Sequence, residues 1–173
     1  MPANQNLLDK EEIRKIQKRT EQTMLVLMIL ALPVFGMIYL YQTSGSLDWD
    51  LPELPTVLGQ LLTGAGVGLL VAQDLLFRKR LKGVAPDQDL RLRIQVYGKA
   101  TRERFLLLFI VSMVCSVGLL FYNNAVYTVI FAFTLFFFSV GKPTPERIKK
   151  LLKLNEEEFD IIKQTSKQSS YNF

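Results

Sequence analysis

The stretch FLLLFIVSMVCSVGLLFYNNAVYTVIFAFTLFFFSVG, residues 105–141, runs for 37 positions without a charged side chain. A helix needs about 20 apolar residues to cross the roughly 30 Å hydrocarbon core of a bilayer, so this stretch is too long for one crossing. Asn123 and Asn124 divide it, and asparagine is typical of turns. The stretch therefore predicts two membrane spans, 105–122 and 125–141, joined by a tight hairpin.

Two further charge-free stretches, residues 24–47 and 54–73, precede this one. A water-facing helix needs polar groups on its outer face, and helices here would lack them. These stretches predict two more spans, 24–41 and 55–77, and so an all-α, four-helix transmembrane bundle over residues 24–141. A soluble globular protein is excluded, although 49% apolar and 21% charged residues would suit one.

The basic residues indicate how the bundle is oriented. All 21 lysines and arginines fall in the segments 1–23, 78–104 and 142–173, and basic segments near span ends stay on the cytoplasmic side. The charged residues of the first outer loop are all acidic: Asp48, Asp50 and Glu53. Aromatic residues at the same level predict an interfacial belt: Tyr39, Tyr41, Trp49, Tyr122 and Tyr127. Both termini are therefore expected in the cytoplasm. The net charge of +5 is explained by this orientation and by contact with anionic lipid, without a nucleic acid partner.

The cytoplasmic segments are expected to be largely helical. Residues 1–23 predict a short helix that leads into the first span. Within the loop 78–104, residues 90–96 alternate between apolar and polar, as in a strand, but an isolated strand has no partner. A helical run into the third span is therefore favoured, with strand pairing between subunits as the alternative. In the tail, Thr144 with Pro145 and then Asn155 are typical helix starts.

The tail presents one apolar face. Its residues recur at helical spacing and would lie together: Ile148, Leu151, Leu152, Phe159 and Ile162. An amphipathic helix must cover its apolar face. The face either packs under the chain's own bundle or docks a partner protein.

The second span contains a row of small residues. Gln60, Gly64, Gly68 and Ala72 recur every four positions and would let another helix approach closely. The glycines lie within a continuous apolar span, so they are not the phosphate-binding turn of a dinucleotide fold. The row predicts helix packing, either within the bundle or against a second subunit; the alternatives are flexible hinges or the lining of a permeation path.

Asp74 is the one residue inside a predicted span that is charged at pH 7. It lies four positions before Arg78, which favours an interfacial ion pair. Since intramembrane carboxylates also mark ion or proton sites, a candidate polar site of Asp74, Arg78, Gln60 and Thr63 along the second span is the alternative.

Catalytic chemistry has little support. The chain has no histidine and one cysteine, Cys115, which lies in an apolar run. Histidine is the commonest metal ligand and the usual general base. No catalytic residue, metal ligand or cofactor is therefore predicted.

The junction GKPTPERI, residues 141–148, followed by LKLNEEE, residues 152–158, resembles the tail of small, uncharacterised bacterial membrane proteins with four spans. The resemblance covers about the last quarter of the chain. It implies a bacterial inner membrane and transfers no functional residue.

Two functions are compatible with these patterns. The first is a non-enzymatic integral membrane protein that self-associates or serves as an accessory or scaffold subunit of a membrane complex. The alternative is a small oligomeric transporter or ion-conducting protein that uses Asp74 and the polar face of the second span.

Overall fold

The computed structural model describes residues 2–45, 51–84 and 88–170, and these ranges contain helices and no strand. The helices are α1 (Pro2–Ser44), α2 (Thr56–Lys82), α3 (Leu90–Tyr122), α4 (Ala125–Val140), α5 (Pro145–Leu152) and α6 (Glu156–Ser170). The all-α prediction is confirmed. Residues 90–96 form the start of α3, so the helical interpretation of this segment is correct and the strand interpretation is not.

Three helices are long and apolar enough to cross a membrane: α1 from Lys10, α2 and α3. The fourth candidate is α4 taken together with α5, from which it is bent by 87°. With 16 residues, α4 is about 24 Å long, less than the thickness of a typical hydrocarbon core. The structure therefore supports three spans, or four if the bent pair is one of them.

Helices α3 and α4 are joined at Asn123 and Asn124, where the sequence predicts a hairpin. Asn123 adopts the left-handed conformation (φ 44°) that ends α3. The Asn124 side chain then accepts a hydrogen bond from the Val126 amide at 3.0 Å and caps α4. Both are conformations that asparagine tolerates better than most residues, which is why two of them stop one helix and start the next.

The tail helices begin close to the predicted positions. Pro145 is the first residue of α5, after Thr144. Helix α6 follows Asn155, whose amide donates to the Glu158 carboxylate at 2.9 Å. A glutamate that reaches back to the residue before the helix satisfies one of the donors that a helix start leaves unpaired.

Helix α3 is the centre of the bundle and packs against α1, α2 and α4. The outer cluster contains Phe35, Val111, Cys115, Leu119, Tyr127, Ile130 and Phe131. The inner cluster lies at the opposite end and contains Ile13, Phe77, Ile94, Tyr97, Ala100, Ile148, Leu152, Leu154 and Ile162. Because α5 and α6 contribute to the inner cluster together with α1, both terminal segments lie at the same end of the bundle.

Two glycines of α3 allow its neighbours to approach closely. A Cβ atom on Gly98 would lie 2.6 Å from Cγ2 of Ile16 in α1. A Cβ atom on Gly118 would overlap the Tyr127 ring of α4. These contacts leave no room for a larger side chain unless the helices separate.

Candidate functional site

The row of small residues on α2 lies on the outside of the bundle. Gln60, Gly64 and Gly68 are exposed, and Ala72 is half-buried. A Cβ atom added to Gly64 or Gly68 would have nothing within 4 Å. The sequence left two packing partners open, a helix of the same bundle or a second subunit. Within the described residues, no helix of the same bundle packs against Gly64 or Gly68.

Gln60 gives this row a polar group. Its carboxamide makes no hydrogen bond with any residue in the described ranges. Apolar side chains of the same helix are also exposed, among them Val57, Leu61 and Val71 at 64%, 62% and 54% exposure. The exposed face of α2 thus carries an amide in an apolar surface, with two glycines along the same row.

Other glycines of α2 make the contacts within the chain. Gly59 and Gly66 are buried. The Tyr127 hydroxyl donates to the Gly59 carbonyl at 2.8 Å, and a Cβ atom on Gly66 would touch the Ile130 side chain at 3.7 Å. The sequence carried no signal that separates these two from Gly64 and Gly68.

Asp74 forms the predicted ion pair. The Arg78 Nε donates to its Oδ2 atom at 2.7 Å, and an Nη2 atom of Arg104 lies 3.6 Å from its Oδ1. Gln60 is 14 residues away, which is about 21 Å along the helix. Thr63 donates to the Gly59 carbonyl at 3.0 Å. The four residues of the candidate polar site therefore do not come together.

Arg104 is a polar residue that sequence reasoning missed. It is 4% exposed, its Nε donates to the Gln73 Oε1 at 2.7 Å, and its guanidinium lies 5.0 Å from the centre of the Phe77 ring. Arg104 directly precedes the charge-free stretch, so it was assigned to the end of a loop. A helix that continues beyond the apolar run carries it between α2 and α3 instead.

The apolar face of the tail is covered by the chain's own bundle. Ile148, Leu152 and Ile162 are buried in the inner cluster, and Leu151 packs against it. Phe159 is half-buried, with the ammonium groups of Lys149 and Lys163 at 4.6 and 5.9 Å from its ring centre. Of the two arrangements predicted for this face, packing under the chain's own bundle or docking a partner protein, the structure contains the first.

Arg93 holds the tail in place, and sequence reasoning also missed it. Its side chain is 2% exposed, and one guanidinium nitrogen lies 3.0 Å from a carboxylate oxygen of Glu158. The other terminal nitrogen donates to the carbonyl of Leu152, and the Lys153 carbonyl lies 3.3 Å from it. A buried cation from α3 thus pairs with α6 and caps the end of α5. Its place in the alternating run 90–96 gives no sign of this burial.

Small hydroxyls in α3 bond to the helix itself. Ser112 donates to the Leu108 carbonyl at 3.0 Å and Ser116 to the Ser112 carbonyl at 2.9 Å. Of the predicted aromatic belt, Tyr39 and Tyr41 are exposed, whereas Tyr127 is buried in the outer cluster. Trp49, Asp48 and Asp50 lie outside the described residues.

The described residues contain no group of three or more histidine, cysteine, aspartate or glutamate side chains able to hold a metal ion. The exposed face of α2 and the basic inner end of the bundle are among the surfaces open to a partner or ligand. The sequence matches no protein-family model, and neither curated proteins nor solved structures give a match to it.

Proposed function

We propose that this chain is a non-enzymatic, polytopic integral membrane protein that self-associates through the exposed face of α2. The observation that carries the proposal is the row of Gln60, Gly64 and Gly68, which is open along its length. In a membrane, lipid tails are as apolar as the helices, so helix association depends on close packing and polar contacts. The row offers both.

Glycines reduce the distance at which two helices can pack. If the same face of a second copy lies against it, backbone meets backbone at Gly64 and Gly68, and the Gln60 amides exchange hydrogen bonds. Such interhelical bonds contribute about 0.6 kcal/mol on average in membranes, so the close packing supplies most of the association energy.

Introduced cysteines test this arrangement, because the chain has one cysteine, Cys115, and it is buried. In a Cys115→Ala background, Gly64→Cys and Gly68→Cys are expected to form disulfide-linked dimers on oxidation in native membranes. The close approach that the row permits satisfies the 4.4–6.8 Å between Cα atoms that a disulfide needs. Ala65→Cys is the matched control, since Ala65 is exposed at the same depth on another side of α2.

Leucine substitutions give a second measure. Gly64→Leu is expected to shift the protein from oligomer to monomer in detergent, while Ala65→Leu leaves the oligomer intact. The fold should tolerate both variants because Gly64 has no neighbour within 4 Å and Ala65 is exposed. An unchanged oligomer in Gly64→Leu, or equal crosslinking at residues 64 and 65, would overturn the proposal.

A scaffold or accessory role is the related proposal, with a different membrane protein on the same α2 face. The tail is less suited to that role because its apolar face is already covered. If the partner is a different membrane protein, the introduced cysteines should crosslink to that protein. Crosslinked dimers of this chain would instead indicate self-association.

The transporter alternative has less support. Asp74 is paired with Arg78, and neither Gln60 nor Thr63 lies near it. The distribution of lysine and arginine favours cytoplasmic termini, contact with anionic lipid at that face, and location in a bacterial inner membrane as the resemblance of the tail implies.

A further inference from the structure

The inner end of the bundle contains a cavity of about 570 Å³ between the last turns of α2 and the end of α5. This volume is within the range of about 300–1,000 Å³ that is typical of ligand-binding cavities. Its walls combine apolar and basic side chains: Phe77, Leu81, Val84, Leu151 and Leu152; Arg78, Lys82 and Lys153. No acidic residue within 51–84 or 88–170 lines it.

Two of the three cations are available to a ligand. Arg78 is held by Asp74 at 2.7 Å. Lys82 and Lys153 are exposed, and neither has an ion pair within the part of the chain that the structure describes. The cavity therefore presents two ammonium groups without an ion pair among the described residues, one from the last turn of α2 and one from the residue that follows α5.

The end of α5 does not oppose an anion as strongly as a bare helix end would. Helix C-termini carry partial negative charge on unpaired carbonyls. Here the guanidinium of Arg93 donates to the Leu152 carbonyl and pairs with Glu158. Arg93 neutralises the carbonyl end of α5 from the buried side. The ammonium group of Lys153 is therefore not needed to neutralise these carbonyls.

The cavity lies where the apolar part of α2 gives way to charge. The last long apolar side chains before this level are Leu75, Leu76 and Phe77, and Arg78, Lys79, Arg80 and Lys82 follow. In a membrane protein this is the level of lipid headgroups, where long basic side chains extend toward the interface. A ligand here meets cations on the water side and apolar walls on the membrane side.

We propose that this cavity binds one anionic phospholipid, with its phosphate between Lys82 and Lys153 and the start of an acyl chain against Phe77, Leu81 and Leu151. Basic pockets on the cytoplasmic side of membrane helices are suited to anionic headgroups. The combination of charge and apolar wall favours a lipid over a free anion, which needs only the charge. The proposal is independent of self-association through α2.

Native mass spectrometry of the purified full chain in detergent tests the site with phosphatidylglycerol and, as the neutral lipid, phosphatidylcholine. One phosphatidylglycerol is expected to bind in preference to phosphatidylcholine. The double variant Lys82→Gln with Lys153→Gln is expected to weaken that binding about thirtyfold, since each of the two basic residues contributes on the order of 1 kcal/mol.

The matched control is Lys79→Gln with Lys150→Gln. It removes the same charge from the same two helices at exposed positions that do not line the cavity. It should keep phosphatidylglycerol binding within about twofold. Helical circular dichroism and the melting temperature show that both double variants fold.

Four results would overturn the proposal: equal loss in both double variants, which indicates nonspecific attraction; binding unchanged by Lys82→Gln with Lys153→Gln; equal binding of phosphatidylcholine; or competition by millimolar inorganic phosphate, which indicates a free-anion site.

Discussion

Helices α2 and α3 are both long and apolar enough to cross a membrane, and they have different surroundings. In the most apolar 18-residue window of each helix, 44% of the α3 residues are buried inside the bundle and 17% of the α2 residues. Helix α3 is enclosed by α1, α2 and α4, whereas α2 leaves one long face open. The comparison shows that apolar character places a helix in the membrane but does not decide whether its neighbours are protein or lipid.

The glycines of the two helices differ in the same way. Gly64 and Gly68 form the most conspicuous glycine pattern in the chain, yet nothing within the described residues packs on them. Gly98 and Gly118 stand alone in sequence, 20 positions apart, and both are closely covered. A close contact between helices depends on the geometry of both helices. A repeated glycine pattern on one helix does not show whether another helix lies against it.

The largest effect is expected where α3 is most closely packed. Gly118→Leu would drive a side chain into the Tyr127 ring, so the α3–α4 pair must separate, at a cost of about 3 kcal/mol or more. Thermal unfolding in detergent should show a large loss or no folded protein. Ala65→Leu, at an exposed position of α2 outside the row of Gln60, Gly64 and Gly68, is the matched control and should unfold like the wild type. Similar loss in both variants would remove the distinction between the helices.

A smaller loss is expected from Arg93→Met, which removes a buried cation and leaves Glu158 and the end of α5 without their partner. Truncating one member of a buried ion pair typically costs about 3–5 kcal/mol, and the cost here is reduced to about 2 kcal/mol because Glu158 is 22% exposed. The tail should detach locally, and limited trypsin digestion should cleave faster at Lys153 and Lys163.

Lys150→Met is the control for that experiment, since Lys150 is exposed on α5. It should leave the remaining tail sites as resistant as they are in the wild type. Unchanged cleavage in Arg93→Met would show that the inner cluster alone holds the tail.

The next largest loss of stability is expected at the hydrogen bond between α4 and the buried side of α2. Tyr127→Phe removes the hydroxyl that donates to the Gly59 carbonyl at 2.8 Å and keeps the ring. A loss of about 1 kcal/mol is expected, near the upper part of the range for interhelical bonds in membranes. Tyr39→Phe, on an exposed tyrosine at 43% exposure, should change the melting temperature little. Equal shifts would mean that the Tyr127 bond adds nothing.

The smallest effect is expected at Asp74, near the open side of α2. Asp74 pairs with Arg78, whose side chain is 71% exposed. Exposed pairs one helical turn apart contribute about 0.3–0.5 kcal/mol to stability. Asp74→Asn should therefore unfold close to the wild type, and Glu53→Gln serves as a control for removing an acid. A loss above about 2 kcal/mol would show that Asp74 is the essential counter-charge of the buried Arg104, 3.6 Å away.

Some features of the fold could be read from local sequence. Asn123 and Asn124 end and begin helices because their side chains and backbone suit those conformations, whatever surrounds them. The start of α5 at Pro145 and of α6 after Asn155 follows from the same kind of local preference. The pairing of Asp74 with Arg78 needs only one helical turn.

The buried arginines could not be read in this way. Arg93 and Arg104 are buried because α3 continues unbroken beyond the apolar stretch and meets α5, α6 and α2 there. Their partners, Glu158 and Gln73, are 65 and 31 residues away in sequence. A charge outside an apolar run looks solvated until the segment that covers it is known.

By itself, the sequence of this protein determined that the chain is helical, where the hairpin and tail helices begin, and which stretches are apolar enough for a membrane. Those properties depend on neighbours within a few turns and on transfer from water to lipid. Only the tertiary structure decided that α3 is central, that Gly64 and Gly68 face outward, that the tail covers its own bundle, and that Lys82 and Lys153 meet at one cavity. The reason is that burial and close approach are properties of pairs of elements, and an apolar helix carries little information about which of its faces a partner will cover.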